Sequence, residues 1–588
     1  MFLLDDGVRP RSDLSNSLIS VYSGEKGTNV WGNLRLYALE DNPSAMYLLG
    51  REIARDPDRE SNYRAIQQWL SFCDKNHTCC RALLPPLPAR ILDVGPPDGS
   101  ADPALLISQG RSGLYVALSY CWGKGQTVVT TQQNLEDFRE GIPISALSQS
   151  LQDAIKITRK IGLRYLWIDA LCIVQQEHGL EDFLVESSKM GEYYSNAYLT
   201  LGAGSAADSQ DGFLTLREPP AARPVRLVYS LPADSRSENM SHASSFVYAC
   251  LSRVSGREFK PLDARAWVLQ EQIMSPRMLT YGQEQMRFRC QRRIFCEDGS
   301  YQSFKWSPGT IDIYLRISER AEVMARHPNA LMAKAEMFDR WNAIVEFYTR
   351  RKLTDPYDKL TALAAVAKAL HHTVECNYLF GLWEDDLIRG LLWSNFIFTS
   401  SISRLLQRCE TNRAPSWSWA SVEGAVYTKH IHRQRDRYVN SQNHRIKILA
   451  YSTTTISFDP IRMRSPFLLR FQGILKPVRS SRTGIAQYKF KNWVPTRLPN
   501  PQVPGVLLRS AEDSGGETDT SVESEVVGAG LFDVSEEASA SLWCTRLVIK
   551  EGLLLAPAAG GVYRRLGVFW VQDVDWFDRG EVEEFAIT

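Results

Sequence analysis

The chain has 588 residues, 44% of them hydrophobic, which is enough to bury several cores; at about 150 residues per domain it should divide into three or four units. Its 68 Lys and Arg balance 67 Asp and Glu, so there is no global field to recruit nucleic acid or an anionic membrane. No apolar run approaches the roughly 18 residues that span a bilayer, and MFLLDDGVRPRSD has acids where a secretory peptide needs an apolar stretch; with 11 scattered cysteines that read as reduced thiols, a cytoplasmic protein without a membrane span is expected.

Residues 1–60 are polar and weakly periodic, a lead-in of uncertain order. The segment AIQQWLSFCDKNHTCC, Ala65 to Cys80, has a short helical pattern, and the Pro-rich LLPPLPARILDV after it predicts an extended arm entering a strand. LYVALSY, from Leu114, is a short apolar run that reads as a buried strand. In ALSQSLQDAIKITRKIG, Leu147, Leu151, Ala154, Ile155, Thr158 and Ile161 share one helical face, and Gly162 stops the helix. RYLWIDALCIV reads as a second buried strand, EDFLVESSKMGEYYSNA returns to helical spacing, and AYLTLGAG is a third strand. Strand, helix, strand, helix, strand predicts an α/β fold with a parallel sheet and right-handed crossovers, within a domain at 61–300.

Residues 301–440 are mainly helical in pattern, as in AEMFDRWNAIVEFYTRR and DKLTALAAVAKALHH. From 441 to 588 the pattern changes to alternation, in ILAYSTTTISF, FLLRFQGIL, RLVIKEGLLLAP and YRRLGVFWV, which predicts a β-rich C-terminal domain. Its acidic stretch SAEDSGGETDTSVESE, residues 510–525, is too poor in apolar residues to fold and is expected to be a disordered loop. There are no internal repeats.

Ligands of an open parallel sheet lie beyond the carboxyl ends of its strands. The expected rim is therefore Ser119, Tyr120, Cys121, Trp122 and Gly123 after the first strand, Asp169 after the second, and Gly202 to Ser205 after the third. Glu186, on the helix after the second strand, shares a face with Asp182, Met190 and Tyr193; it reads either as a carboxylate near this rim or as a solvated helix residue. In RAWVLQEQIMSPRMLTYG, Arg265 and Glu271 are placed to pair structurally, with Glu271 as a catalytic acid the second idea. Cys73, His77, Cys79 and Cys80 invite a zinc reading, but no second CxxC or HxxxH pair completes four ligands, so core thiols and no metal are expected. A GxSxG elbow, a phosphate-cradling GxxxxGKS/T loop, HExxH and GxGxxG are all missing from the sequence.

Three blocks are more specific. YVALSYCWG from Tyr115, YLWIDALCIVQQ from Tyr165 and RAWVLQEQIMSPRMLTYG from Arg265 resemble, in order and spacing, those of the fungal heterokaryon-incompatibility (HET) domain, with Ala170 where serine is frequent. WLSFCDKNHTCC, PARILDVG, RKLTDPYDKLTAL, YLFGLWEDDLIRGLLW and RAPSWSWASVEGAV extend the likeness over roughly residues 60–588.

HET domains are similar in fold to TIR domains, so the resemblance implies a flavodoxin/TIR-like sheet. The TIR relatives that are enzymes cleave the nicotinamide–ribose bond of NAD with a helix-borne glutamate and no metal. By that likeness Glu186 and Asp169 would be catalytic, and Ser119, Tyr120, Trp122, Gly123, Arg265 and Glu271 would bind substrate. NAD would be a substrate rather than a cofactor, with Trp122 or Trp167 stacking on a ring. The implied function is an incompatibility effector that triggers growth arrest or cell death, through NAD hydrolysis or, alternatively, as a non-catalytic module acting by oligomerisation with protein partners.

Overall fold

The computed structural model describes residues 18–23, 29–46, 48–80, 84–124, 128–175, 181–218, 223–229, 245–252, 261–303, 330–395, 406–410, 413–428, 444–451, 467–481, 505–510, 526–534, 541–571 and 574–588. The chain divides into two compact units, Met1–Thr310 and Ile311–Thr588.

The first unit is built on a nine-stranded mixed sheet. Its strands are β1 (Arg90–Asp93), β2 (Ala104–Ile107), β3 (Tyr115–Ser119), β4 (Tyr165–Trp167), β5 (Leu199–Gly202), β6 (Arg277–Tyr281), β7 (Met286–Cys290), β8 (Arg293–Cys296) and β9 (Tyr301–Ser303). They lie in the order β9-β8-β7-β6-β5-β3-β4-β1-β2. The adjacent strands β4, β3, β5 and β6 are parallel, and those on either side are antiparallel. Counted along the chain, the parallel strands stand second, first, third, fourth, so the connections run to opposite sides of β3. In open parallel sheets such a reversal is where ligands bind, here beyond the carboxyl ends of β3 and β5.

Alternation within β3 explains why it is apolar at every position. Val116 and Leu118 join one core with Tyr63, Ile66 and Leu70 of α1 (Glu60–Asn76) and Leu151, Ala154 and Ile155 of α2 (Gln149–Lys160). Tyr115 and Ala117 point the other way, into a core with Trp167. The second strand is shorter than its apolar run predicts. After Trp167, Asp169–Cys172 coils into one helical turn, α3, in which Cys172 N bonds Ile168 O at 2.7 Å and Ile173 N bonds Asp169 O at 3.0 Å. α4 (Glu181–Asn196) then crosses back and supplies Met190, Tyr193 and Tyr194 to the core around Trp167; α5 (Ala266–Met274) leads into β6.

The N-terminal stretch, read from sequence as a lead-in, contributes Leu18–Ser23 and Asn29–Tyr37 to a four-stranded antiparallel sheet with Ser245–Ser252 and Val225–Tyr229. The two N-terminal strands pair with each other as a local hairpin, but the rest of the sheet comes some 200 residues further along the chain, out of reach of a local reading.

In the second unit, the segments AEMFDRWNAIVEFYTRR and DKLTALAAVAKALHH fall largely on helices α6 (Ala330–Thr349) and α7 (Ala364–Val374), and short two-residue strands follow them. The alternating segments form an antiparallel sheet whose hydrogen-bonded path closes on itself: Leu469–Ser481, Gly505–Ser510, Val526–Phe532, Val562–Val571, Glu551–Ala558, Leu542–Val548 and back to Leu469–Ser481. Closure leaves this ring no free edge. Residues 511–525, most of the acidic stretch, lie outside the described residues. No helix among the described residues is long and apolar enough to cross a membrane.

Candidate functional site

The chain leaves β3 through Ser119, Tyr120, Cys121 and Trp122. Ser119 and Tyr120 are buried at 1% and 2% exposure, whereas Trp122 is half-buried at the lip. Gly123 has φ +79°, a left-handed conformation, and a Cβ there would lie 1.8 Å from Asp208 Oδ2. That carboxylate instead accepts from Lys124 N at 2.9 Å, which turns the loop.

Asp169 stands at the start of α3, just beyond β4. It accepts the Trp122 indole N–H at 2.9 Å through Oδ2 and Ala170 N at 2.8 Å through Oδ1. Burial pushes its carboxyl above the usual carboxylate range, opposed by the positive charge of Arg265 and by the Trp122 N–H. Arg265, immediately before α5, donates from Nη1 to the Tyr120 carbonyl and so fixes the helix start to the loop after β3.

One and a half turns into α5, Glu271 is buried among these groups. Burial raises its pKa to about 7, although the Ser119 hydroxyl, the Arg265 charge and the Tyr194 hydroxyl all act to lower it; the neighbouring Asp169 charge adds to the rise. By geometry Glu271 Oε2, Ser119 Oγ and Tyr120 OH make no hydrogen bond, so the Ser119 and Tyr120 hydroxyls act on the Glu271 and Asp169 carboxyls as close polar neighbours, and the Tyr194 hydroxyl is committed to Leu118 O at 2.9 Å. With its carboxyl raised toward neutrality and one oxygen without a hydrogen bond, Glu271 differs from a fully paired carboxylate such as Glu186.

Glu186 is arranged differently. It is buried at 3% exposure, so the solvated reading fails, but both of its oxygens are engaged. Oε1 accepts from Lys189 Nζ at 3.0 Å and Oε2 from Tyr193 OH at 2.6 Å. The nearby Asp182 accepts from Arg90 Nη2 at 2.5 Å and from Val174 N at 2.9 Å, a second knot tying α4 to β1 and to the segment after α3. Glu186 is not among the groups acting most strongly on Asp169 or Glu271. Trp167 is wholly buried against Tyr193 and Tyr194, at centroid distances of 5.4 and 5.6 Å, and is a core residue.

The small residues after β5 have a packing explanation. A Cβ on Gly202 would lie 2.7 Å from Met278 Cε, and one on Gly204 would lie 2.8 Å from Thr280 Cγ2 and 2.9 Å from Tyr281 O. They let β5 lie against β6; they do not open a wall to a ligand.

Ser119, Tyr120, Trp122, Asp169, Arg265 and Glu271 thus come together at the strand exits, with Gly123 shaping the loop beside them. Tyr194 was missed as a member of the cluster; its signal was only its place on the same helix as Glu186. Residues 115–271 match a family model described as Heterokaryon incompatibility protein (HET). Residues 115–271 thus carry a HET domain. No curated protein and no solved structure matches it. The HET segment opens at the first residue of β3 and closes on Glu271, so it contains every member of the buried cluster. A HET domain points to a function connected with heterokaryon incompatibility.

Proposed function

We propose that the HET domain hydrolyses NAD at the cluster around Glu271, and that the chain is an effector of non-self recognition in a filamentous fungus, where this hydrolysis arrests growth or kills the cell. The observation that carries the reading is Glu271 Oε2, a buried carboxylate oxygen without a hydrogen-bond partner, on a helix beside the switch point of a parallel sheet.

The reaction joins NAD and water to give nicotinamide, ADP-ribose and a proton. Breaking the N-glycosidic bond leaves the electron pair on nicotinamide and builds oxocarbenium charge on the ribose. Ionised Glu271, hydrogen-bonded to ribose hydroxyls, stabilises that charge where burial strengthens the interaction. Ser119 and Tyr120 offer further polar contacts to the sugar, and Trp122, its indole N–H held by Asp169, presents a ring face at the lip. Arg265, half-exposed, is placed for the pyrophosphate. In this scheme Glu271 takes the role that the family resemblance suggested for Glu186, whose two oxygens already have partners.

Purified full-length chain incubated with NAD is expected to release nicotinamide, and Glu271→Ala to abolish release while leaving the fold intact by circular dichroism. Because a composite site shared between neighbouring domains would keep a monomer silent, the assay is run with the protein both dilute and fused to a forced oligomer. Folded wild type that is inert in both states would overturn the enzymatic reading and favour a module that signals by protein contacts alone.

A further inference from the structure

We propose that Cys73, His77, Cys80 and Cys290 form a tetrahedral zinc site that ties α1 to the β7–β8 hairpin. The four side chains are all buried, and their ligand atoms lie within 4.8 Å of one another. A zinc ion with bonds of about 2.3 Å to sulfur and about 2.1 Å to nitrogen holds its ligand atoms roughly 3.5–3.8 Å apart, so closing the cluster takes an adjustment of about 1 Å at most. One edge is already at that length: Cys290 Sγ lies 3.3 Å from His77 Nδ1.

The backbone supplies the ligands in an ordered way. Cys73 is on the last turn of α1, His77 is its C-cap with N bonded to Cys73 O at 2.9 Å, and Cys80 closes the following 3-10 turn with N bonded to His77 O at 3.0 Å. The spacing C-x3-H-x2-C thus folds three ligands onto one side of the helix end. The fourth comes from the end of β7, 210 residues further on, where the chain turns into β8. In that turn Arg292 N and Arg293 N both donate to Cys290 Sγ, at 3.4 and 3.3 Å. Two backbone donors aimed at one sulfur favour a thiolate over a thiol.

Charge agrees with this assignment. Three thiolates and a neutral imidazole around Zn²⁺ leave one net negative charge. Arg277, with no exposed surface, donates Nε to Cys73 Sγ at 3.4 Å and Nη2 to Cys80 O at 2.6 Å. The same guanidinium pairs with Asp74, so its own charge is already balanced, and its Nε–H is a donor suited to a metal-bound thiolate on Cys73. Phe72 and Phe295, 5.6 Å apart, and the His77 ring, 5.5 Å from Phe72, cover one side and keep bulk water out. All four ligands lie outside residues 115–271, so the zinc would staple flanking segments onto the sheet that carries the HET cluster.

The test is metal content of the full-length chain, expressed with zinc supplied and purified without chelator. Mass spectrometry of the elements should find about one zinc per chain, lost in Cys290→Ser and retained in Cys250→Ser, a buried cysteine elsewhere in the unit. Exchange of wild type with cobalt should give the intense visible bands of tetrahedral thiolate coordination, a readout that survives even if Cys290→Ser does not fold. Less than about 0.1 metal per chain with no cobalt bands, full zinc retention in Cys290→Ser, or a disulfide joining Cys290 to Cys73 or Cys80 in freshly purified protein would overturn the proposal.

Discussion

Trp122 donates its indole N–H to Asp169 across 2.9 Å, joining the loop that leaves the first parallel strand to the helical turn that follows the second. The bond pins a half-exposed aromatic face at the mouth of the Glu271 cluster, and a net hydrogen bond of this kind contributes only about 1 kcal/mol to stability. Trp122→Phe should therefore leave the urea midpoint almost unchanged but lower nicotinamide release at subsaturating NAD by tenfold or more. Equal losses of stability and activity would reassign Trp122 to packing.

Glu271 makes a sharper prediction because its carboxyl is raised from the usual range to about 7 by burial. Between the unfolded value of about 4.5 and that value, the folded chain holds a proton the unfolded chain has released, so this group's contribution to stability falls as pH rises through the interval and levels off above it. Glu271→Gln removes the ionisation. It should be more stable than wild type at pH 8, by roughly 1–3 kcal/mol, and the difference should vanish near pH 4. Activity should move oppositely, wild-type kcat/KM rising with pH through about 7 as the carboxylate forms. A flat profile from pH 5 to 9 would remove Glu271 from the chemistry.

Glu186→Ala separates a structural glutamate from a reactive one. The substitution strands the Tyr193 hydroxyl, whose 2.6 Å bond to Glu186 lies in the interior, and should cost roughly 1–3 kcal/mol. The folded fraction should nevertheless keep its nicotinamide release. Loss of turnover at full stability would return the catalytic role to Glu186.

How far the sequence could be read depended on how local each feature was. The strands β3, β4 and β5 and the helices between them showed in short apolar runs and helical spacing, because each buries its own residues against the next element in the chain. The cluster at the strand exits followed from that order plus one general rule about parallel sheets, which put Ser119, Trp122 and Asp169 at those exits. Choosing between Glu186 and Glu271 needed coordinates, since both are helix-borne carboxylates and only hydrogen-bond satisfaction tells them apart. Cys290 was invisible for a related reason: a search for a second local ligand pair cannot find a lone cysteine brought in by a distant hairpin.

Gly123 tests whether the loop after β3 must turn as it does. Its φ of +79° costs an L side chain roughly 1–2 kcal/mol. An alanine Cβ would also meet Asp208 Oδ2 at 1.8 Å, displacing the carboxylate that accepts from Lys124 N. Gly123→Ala should lower both stability and turnover, and the accompanying Asp208→Ala should restore part of the stability by clearing the clash. No recovery in the double variant would mean that backbone strain alone is responsible.

The second unit carries its own burial test. Arg565, with no exposed surface, pairs with Asp533 through two bonds of 3.0 Å, donates to the carbonyls of Leu391 and Trp393, and lies 3.6 Å from the centre of the Trp393 ring. One guanidinium thus holds the Trp393 segment against the closed sheet. Asp533→Ala would leave that charge buried without its carboxylate, at a cost of about 3–5 kcal/mol, whereas replacing both partners by apolar residues of similar volume removes the uncompensated charge. The double variant Asp533→Leu, Arg565→Met should therefore unfold at a higher urea concentration than Asp533→Ala alone, followed through the fluorescence of Trp341, Trp383, Trp393, Trp417 and Trp419, all buried in this unit. If the double variant is the weaker of the two, the carbonyl bonds of Arg565, rather than its charge balance with Asp533, hold the segment in place.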